Sequence, residues 1–153
     1  MSIKSARPVL PSLVPCLRVA DVSRAVEFYR QVFDATVLFR QQRPNGRTIS
    51  AHMRVGESTM LILPLYEAGG GHSELALYVV DVDETMRRAV TGGATESSPV
   101  EDGFDGDRSG GFYDPFGHYW FISTCLEELE VEEVYQRGAR RLGELVRSAK
   151  ELR

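Results

Sequence analysis

The feature that most constrains the fold of this chain is an internal repeat with a period of about 60 residues. Residues of the first half recur in the second half at a nearly constant offset of 59 to 61 positions. The matched residues are Leu17 with Leu77, Val19 with Val79, Asp21 with Asp81, Val22 with Val82, Ala35 with Ala94, Thr36 with Thr95, and Gly56 with Gly117. The repeat predicts two similar modules that stack on one another, because a duplicated unit buries its apolar side against its neighbour.

Apolar periodicity gives both halves the same order of elements: a strand, a helix and then three strands. In the first half we predict a strand at 13–19, a helix at 22–33, and strands at 36–39, 48–55 and 59–63. In the second half we predict a strand at 74–80, a helix from Asp81 to Gly92, and strands at 95–100, 111–113 and 119–125, with glycine-rich loops at 69–71 and 103–111. The sequence thus predicts an α+β fold, with βαβββ modules at 10–65 and 73–126 inside one domain of residues 1–126.

A helical extension follows the second module, at residues 127–153. Its apolar residues form a broken stripe at helical spacing, and glutamates alternate with arginines on the other side. We expect the charged side to face solvent and the apolar side to pack either on a sheet or on a partner chain. Its first half is too acidic for a basic, membrane-bound helix.

Composition excludes several classes of function. The 153 residues include 18 basic and 22 acidic side chains, for a net charge of -4, whereas nucleic-acid binding needs a basic footprint. No stretch approaches the roughly 20 apolar residues of a membrane helix, and residues 1–12 lack the apolar core of a signal peptide. The cysteines, Cys16 and Cys125, form no CxxC motif. We therefore expect a reduced, cytoplasmic protein that binds neither nucleic acid nor membrane.

Two groups of short motifs resemble a known superfamily. The first group is Leu17-Arg18-Val19-Ala20-Asp21 followed by Ala25-Val26-Glu27-Phe28-Tyr29; the second is Gly106-Asp107-Arg108-Ser109-Gly110 followed by Asp114-Pro115-Phe116-Gly117-His118. Both resemble the vicinal oxygen chelate superfamily, which includes glyoxalase I, bleomycin-resistance proteins, fosfomycin-resistance enzymes and extradiol dioxygenases. The second group is typical of a small bacterial glyoxalase-like branch. The resemblance implies paired modules whose curled mixed sheets surround a cavity, usually in a homodimer.

The resemblance also implies where a metal ion would bind, because ligands in metal-dependent members come from the first and last strands of each module. The corresponding positions here are Val14, the strand at 59–63, Glu74 and Phe121. Only Glu74 offers an oxygen ligand, and one carboxylate does not hold a divalent ion tightly. We therefore expect no metal cofactor. The less favoured alternative is a divalent ion that is bound unconventionally through His52 or His118.

Strand alternation predicts which side chains face the cavity. The predicted ligand-binding residues are Cys16, Ser50, His52, Glu74, Tyr78, Arg108, Tyr119 and Phe121. The side chains of His52 and Glu74 could instead face solvent, and Tyr119 and Phe121 could be aromatic residues with a packing role only. For Arg108 the sequence favours a local ion pair with Asp105 or Asp107 over ligand contact. Glu74 is the weak candidate for a catalytic base, and Cys16 has no identifiable partner base for thiolate chemistry.

Three functional hypotheses follow. The favoured one is a homodimeric, glyoxalase/bleomycin-resistance/dioxygenase-like protein that binds a small organic molecule in a metal-free cavity. The alternative is a metal-dependent lyase or isomerase that acts on an α-oxygenated substrate. The third is an interaction module whose cavity has no ligand.

Overall fold

The computed structural model describes residues 11–66 and 71–151. The first module consists of β1 (Cys16–Val19), α1 (Val22–Phe33), β2 (Thr36–Gln42), β3 (Thr48–Val55) and β4 (Ser58–Pro64). The second consists of β5 (Glu74–Tyr78), α2 (Val82–Thr91), β6 (Thr95–Asp102), β7 (Asp107–Tyr113) and β8 (Tyr119–Cys125), and α3 (Val131–Glu151) follows it. The predicted boundaries at residues 1, 10 and 153, and most of the glycine-rich loop at 69–71, lie outside the described residues.

The two sheets have the same topology, which confirms the predicted fold class. Their strand orders are β1-β4-β3-β2 and β5-β8-β7-β6. In each sheet the first pair, β1 with β4 or β5 with β8, is parallel, and the other two pairs are antiparallel. The order of elements therefore repeats between modules, as the residue matches at 59 to 61 positions predict.

Matched residues also play matched local roles. The Asp21 carboxylate accepts a hydrogen bond from the amide of Arg24 at the start of α1, and the Asp81 carboxylate accepts one from the amide of Glu84 at the start of α2. Both aspartates cap otherwise unpaired helix N–H groups. Gly56 and Gly117 both have positive φ, at 55° and 93°, in the turn before the last strand of each module.

One apolar core joins the modules. The buried side of α1 packs on residues from both sheets, and aromatic rings make the contact with the second sheet. Tyr29 and Phe33 of α1 lie 5.6 Å and 4.6 Å from the Trp120 ring, and Phe33 lies 6.3 Å from Phe112. Because α1 contacts the helix-facing sides of both sheets, the opposite side of each sheet faces away from the core.

Several strand predictions were wrong at their ends: β2 extends to Gln42 and not only to residue 39, and β5 ends at Tyr78 and not at residue 80. β1 begins at Cys16 and not at residue 13, and β7 begins at Asp107, inside the segment predicted as a glycine-rich loop. Gly106, at φ 89°, forms the turn before β7. The glycines of β7 suit a strand because neighbours fill the space of their missing side chains: Val100 and Met86 lie against Gly110, and Tyr119 lies against Gly111. Among the described residues, no helix combines the length and apolarity needed to cross a membrane.

Candidate functional site

The side of the second sheet that faces away from the core gathers most of the predicted site residues. We call it the second-sheet face. The strand register gives its members as Glu74, Ala76 and Tyr78 of β5, Tyr119, Phe121 and Ser123 of β8, and Asp107, Ser109, Gly111 and Tyr113 of β7. Their alternation with buried Trp120 and Ile122 confirms the predicted orientation of β8.

Aromatic rings form the middle of the second-sheet face. The rings of Tyr113 and Tyr119 lie 5.1 Å apart, and the Tyr119 ring covers Gly111 so closely that any side chain there would displace it. Phe121 lies between Ala76 and Gly111 in the register and remains 43% exposed. The Phe121 ring is therefore partly accessible, with Ala76 on one side and the Tyr119 ring, which lies over Gly111, on the other.

Polar groups lie on either side of these rings. Glu74 is exposed and pairs in register with Tyr119. Tyr78 donates a 2.6 Å hydrogen bond to Asp107, although its side chain is 68% exposed. This hydrogen bond to a carboxylate raises the pKa of Tyr78 to about 12, because ionised phenol would face a negative charge. The phenol ring is therefore held in place while exposed.

Three predicted site residues lie on the first sheet instead. Cys16 and His52 both pair with Leu61, and Ser50 lies two residues from His52 on the same side of β3. The imidazole of His52 packs against Phe39 at 5.9 Å, and the Ser50 hydroxyl donates to Gln41 at 3.3 Å. The eight predicted residues thus do not form one cluster within a single chain.

Arg108 does not belong to the second-sheet face. It lies on the helix-facing side of β7, where its guanidinium donates to Asp83 of α2 at 2.8 Å and to Asp102 of β6 at 2.7 Å. Both carboxylates raise its pKa, and Asp83 has the larger effect. The expected ion pair exists, but its predicted partners, Asp105 and Asp107, were wrong, because residue 108 alternates to the opposite side of the strand from 107.

A groove of about 780 Å³ runs between the modules and reaches the second-sheet face. It is lined by the end of α1, the turn between β3 and β4, β5 and the start of α2, and Ala76 and Tyr78 belong to both groove and face. Beside it, between β4 and β5, lies a smaller apolar cavity of about 110 Å³. The second-sheet face therefore continues into a concave surface.

Comparison with known proteins identifies the family. A sequence model of the Glyoxalase/Bleomycin resistance protein/Dioxygenase superfamily matches residues 10–122. The chain belongs to this superfamily. This assignment agrees with the repeated βαβββ topology and with the motifs around Asp21 and Asp114.

Similar proteins extend this finding. An uncharacterized protein of Mycobacterium bovis is 34% identical over 138 residues, which cover 82% of this chain and 91% of that protein. Among solved structures, TioX from Micromonospora sp. ML1 is 27% identical, with a TM-score of 0.62 over 74% of this chain and 99% of TioX. The fosfomycin resistance protein FosX from Listeria monocytogenes, complexed with Mn(II) and sulfate, is 19% identical, with a TM-score of 0.61 over 82% of this chain and 94% of FosX. At that identity FosX shows the shared fold only.

The residues of this superfamily member do not fit a divalent metal ion at the positions that the resemblance implies. The side chains of Val14 and Phe121 are hydrocarbons and have no ligand atom. On β4, the residues on the same side of the sheet as Cys16 and Arg18 are Leu61 and Leu63, which also have none. Glu74 alone supplies an oxygen. Within residues 11–66 and 71–151, no three His, Cys, Asp or Glu side chains lie close enough together to hold a metal ion. This donor set is too small for tight binding of a hard or borderline cation.

Sequence reasoning missed all four members of the second-sheet face that lie on β7: Asp107, Ser109, Gly111 and Tyr113. Their signal was the alternation of residues 107, 109, 111 and 113, which is visible only if the segment is read as a strand. The abundance of glycine and serine there concealed the strand. His118, which the sequence offered as a ligand for an unconventionally bound metal ion, is 1% exposed, and both of its ring nitrogens are hydrogen-bonded within the protein.

Proposed function

We propose that the protein binds a small organic molecule on the second-sheet face, without a metal ion. The observation that supports this most directly is the partly exposed Phe121 ring, which lies between Ala76 and Gly111 in the strand register, with Glu74 and Tyr78 on either side of Ala76 along β5. Small-molecule sites combine an apolar or aromatic surface with a few fixed polar groups. The second-sheet face has both components, and the adjoining groove supplies depth.

The charges of the face indicate the chemistry of the ligand. Glu74 and Asp107 carry negative charge, and no basic side chain belongs to the second-sheet face. Carboxylates accept hydrogen bonds and attract cations. We therefore propose a planar ligand with a hydrogen-bond donor or a positive charge, which stacks on Phe121 while its donor faces Glu74.

We also propose that the protein acts as a homodimer. β1 and β5 end their sheets, and both sheets have a side without a core against it. Sheet edges and open apolar sides are commonly covered by pairing. A second copy would cover them and could bring Cys16, Ser50 and His52 of one chain near the second-sheet face of the other.

A thermal-shift experiment tests the ligand proposal. A panel of planar aromatic amines is screened for compounds that raise the melting temperature, since a ligand that binds only the folded state stabilises it. For compounds that do, Phe121→Ala and Glu74→Gln should each weaken binding by about 5- to 100-fold, the scale of a lost ring contact or charged hydrogen bond. Val90→Ala is the matched control, because Val90 is similarly exposed at 47% but lies on α2.

Two results would overturn the proposal. One is a panel in which no compound raises the melting temperature, or in which the shift survives Phe121→Ala. The other is a stoichiometric divalent ion retained after exhaustive dialysis, together with turnover that a chelator abolishes. That second result would support a metal-dependent lyase or isomerase instead.

A further inference from the structure

The apolar stripe of α3 is exposed along the described chain, except at Gly138, which lies against Phe104. It consists of residues that recur at spacings of three and four along one side of the helix, and it includes no buried residue. Its members are Val131, Tyr135, Gly138, Leu142, Leu145 and Ala149, with Val146 beside them. Tyr135 is 72% exposed and Leu142 is 63% exposed. Exposed apolar residues in such a row mark an interaction surface.

The second half of α3 lies away from the domain. Gly138 packs against Phe104, whereas every side chain from 139 to 150 is exposed. A helical segment of about 12 residues is marginally stable in water by itself, and an interior glycine such as Gly143 lowers its stability further. This half of α3 therefore needs a contact that residues 11–66 and 71–151 of the same chain do not supply.

We propose that α3 pairs with α3 of a second copy as an antiparallel two-helix coiled coil. The alternating spacing of four and three residues in the stripe is the spacing of coiled-coil core positions. An antiparallel pair centred on Arg140 places every core residue opposite another one. The resulting layers are Val131 with Ala149, Tyr135 with Leu145, and Gly138 with Leu142, each occurring twice by symmetry. In the last of these layers Leu142 also meets Phe104, which lies against Gly138.

The charge distribution of the segment favours the antiparallel orientation. The first turn of α3 contains Glu132 and Glu133, and its last two turns contain Arg147 and Lys150. An antiparallel pair centred on Arg140 puts Glu133 of each helix beside Arg147 of the other, within about one Debye length. A parallel pair would place like charges side by side. The glutamates at the start of the helix also oppose binding to an anionic lipid surface.

This inference does not depend on ligand binding; it assigns one contact surface to the proposed homodimer. The first test is the mass of the full chain by sedimentation over about 1 to 100 µM, because association depends on concentration. Leu142→Glu puts a charge into two layers and should weaken association by about tenfold or more. Gln136→Glu adds the same charge outside the stripe and should leave association unchanged.

Disulfide trapping tests the orientation even if Leu142→Glu fails to fold. In a Cys16→Ser, Cys125→Ser background, Tyr135→Cys with Leu145→Cys should form covalent dimers on mild oxidation, because these positions face each other in the antiparallel pair. Leu145→Cys alone should not, because residue 145 meets itself only in a parallel pair.

The results separate this proposal from the others. A wild-type chain that stays monomeric over the whole range overturns both the α3 pairing and the homodimer. A dimer that is as stable in Leu142→Glu as in Gln136→Glu overturns the α3 pairing alone. Efficient trapping through Leu145→Cys alone overturns the antiparallel arrangement. A drop in mass that is specific to Leu142→Glu, together with trapping of the 135/145 variant, supports the proposal.

Discussion

Two tyrosine–aspartate pairs of equal length lie in contrasting parts of the molecule. Tyr29 donates to Asp114 at 2.6 Å inside the core, and Tyr78 donates to Asp107 at 2.6 Å on the second-sheet face. The first phenol is 0% exposed and the second is 68% exposed. The same hydrogen bond therefore contributes to stability in the core, whereas on the surface it positions a ring that solvent and ligands can reach.

The buried pair belongs to a network that joins the modules. Each oxygen of the Asp114 carboxylate accepts two hydrogen bonds. The four donors are the Tyr29 hydroxyl, the Trp120 indole N–H, and the backbone amides of Phe116 and His118, at 2.6 to 2.9 Å. Tyr29 lies in the first module and the other donors in the second, so Asp114 holds α1 against the second sheet.

This network exists because the modules differ in one turn. In the first module, the turn between its last two strands has two residues, Gly56 and Glu57, whereas the matching turn of the second module has five, from Asp114 to His118. The longer turn also places His118, whose Nδ1 accepts from the Ser73 amide and whose Nε2–H donates to the Arg18 carbonyl. The duplicated parts build each module, and the part that differs connects them.

Matched Asp→Asn substitutions should give the largest contrast. Asp114→Asn replaces the oxygen that faces the Tyr29 hydroxyl and Trp120 N–H by an amide donor, which leaves buried donors without an acceptor. We expect it to lower the free energy of unfolding by about 3 kcal/mol. Asp107→Asn, at a partly exposed strand end, should change it by less than about 0.5 kcal/mol. Urea unfolding of both variants measures the difference, and equal losses would break the comparison.

His118→Ala should have the next largest effect. It removes two hydrogen bonds and leaves a small cavity between β1 and β5, at a cost of about 2 to 3 kcal/mol. His52→Ala is the control, because His52 is partly exposed on the first sheet. If urea unfolding ranks His52→Ala as the more destabilising substitution, the bridging role of His118 is wrong.

Tyr29→Phe keeps the ring and removes one hydrogen bond, so we expect a loss of about 1 to 2 kcal/mol near neutral pH. Burial, followed by the charge of Asp114, raises the pKa of Tyr29 above its ordinary value of 10. As the pH rises, the unfolded chain therefore loses this proton before the folded protein does. The free energy of unfolding of the wild type should then fall by up to about 1.4 kcal/mol per pH unit above pH 10. The free energy of unfolding of Tyr29→Phe should fall less steeply with pH over the same range. Identical pH profiles from pH 9 to 11 would contradict this assignment.

The smallest effect concerns the exposed pair. Asp107→Asn removes the carboxylate that raises the pKa of Tyr78 to about 12, so this pKa should fall toward 10. Ultraviolet titration at 295 nm measures it, and Tyr78→Phe identifies which of the six tyrosines is responsible. An unchanged titration in Asp107→Asn would mean that the two side chains do not interact in solution.

The sequence predicted the repeated scaffold well because its signals are local. Capping aspartates, turn glycines and alternating apolar residues act within a few positions, and they place Leu17 and Trp120 in the core as expected. Residues 107–110 of β7 escaped prediction because a glycine in a strand depends on distant side chains, such as Val100 and Met86 beside Gly110. The partners of Arg108 were wrong for a related reason, since Asp83 reaches it through packing of α2 on the sheet.

The candidate site was predictable only in part. Alternation placed Glu74, Tyr78 and Phe121 on one side of their strands, which the register reproduces. It could not show that Cys16, Ser50 and His52 belong to another sheet surface, because the relation between sheets depends on how the modules pack. The packing of α3 was left open between a sheet and a partner chain. Its exposed stripe shows that its own sheets do not cover it.

The most direct test of the central claim is an NMR titration of isotope-labelled protein with the tightest-binding amine from the thermal-shift panel. If the second-sheet face binds the ligand, the largest amide shift changes should fall at residues 74–78, 107–113 and 119–123. The turn at 114–118, whose Asp114 and His118 are buried, and the tip of the hairpin near Asn45 should change little. Shift changes centred on the turn at 114–118, or confined to residues outside the second sheet, would contradict the account.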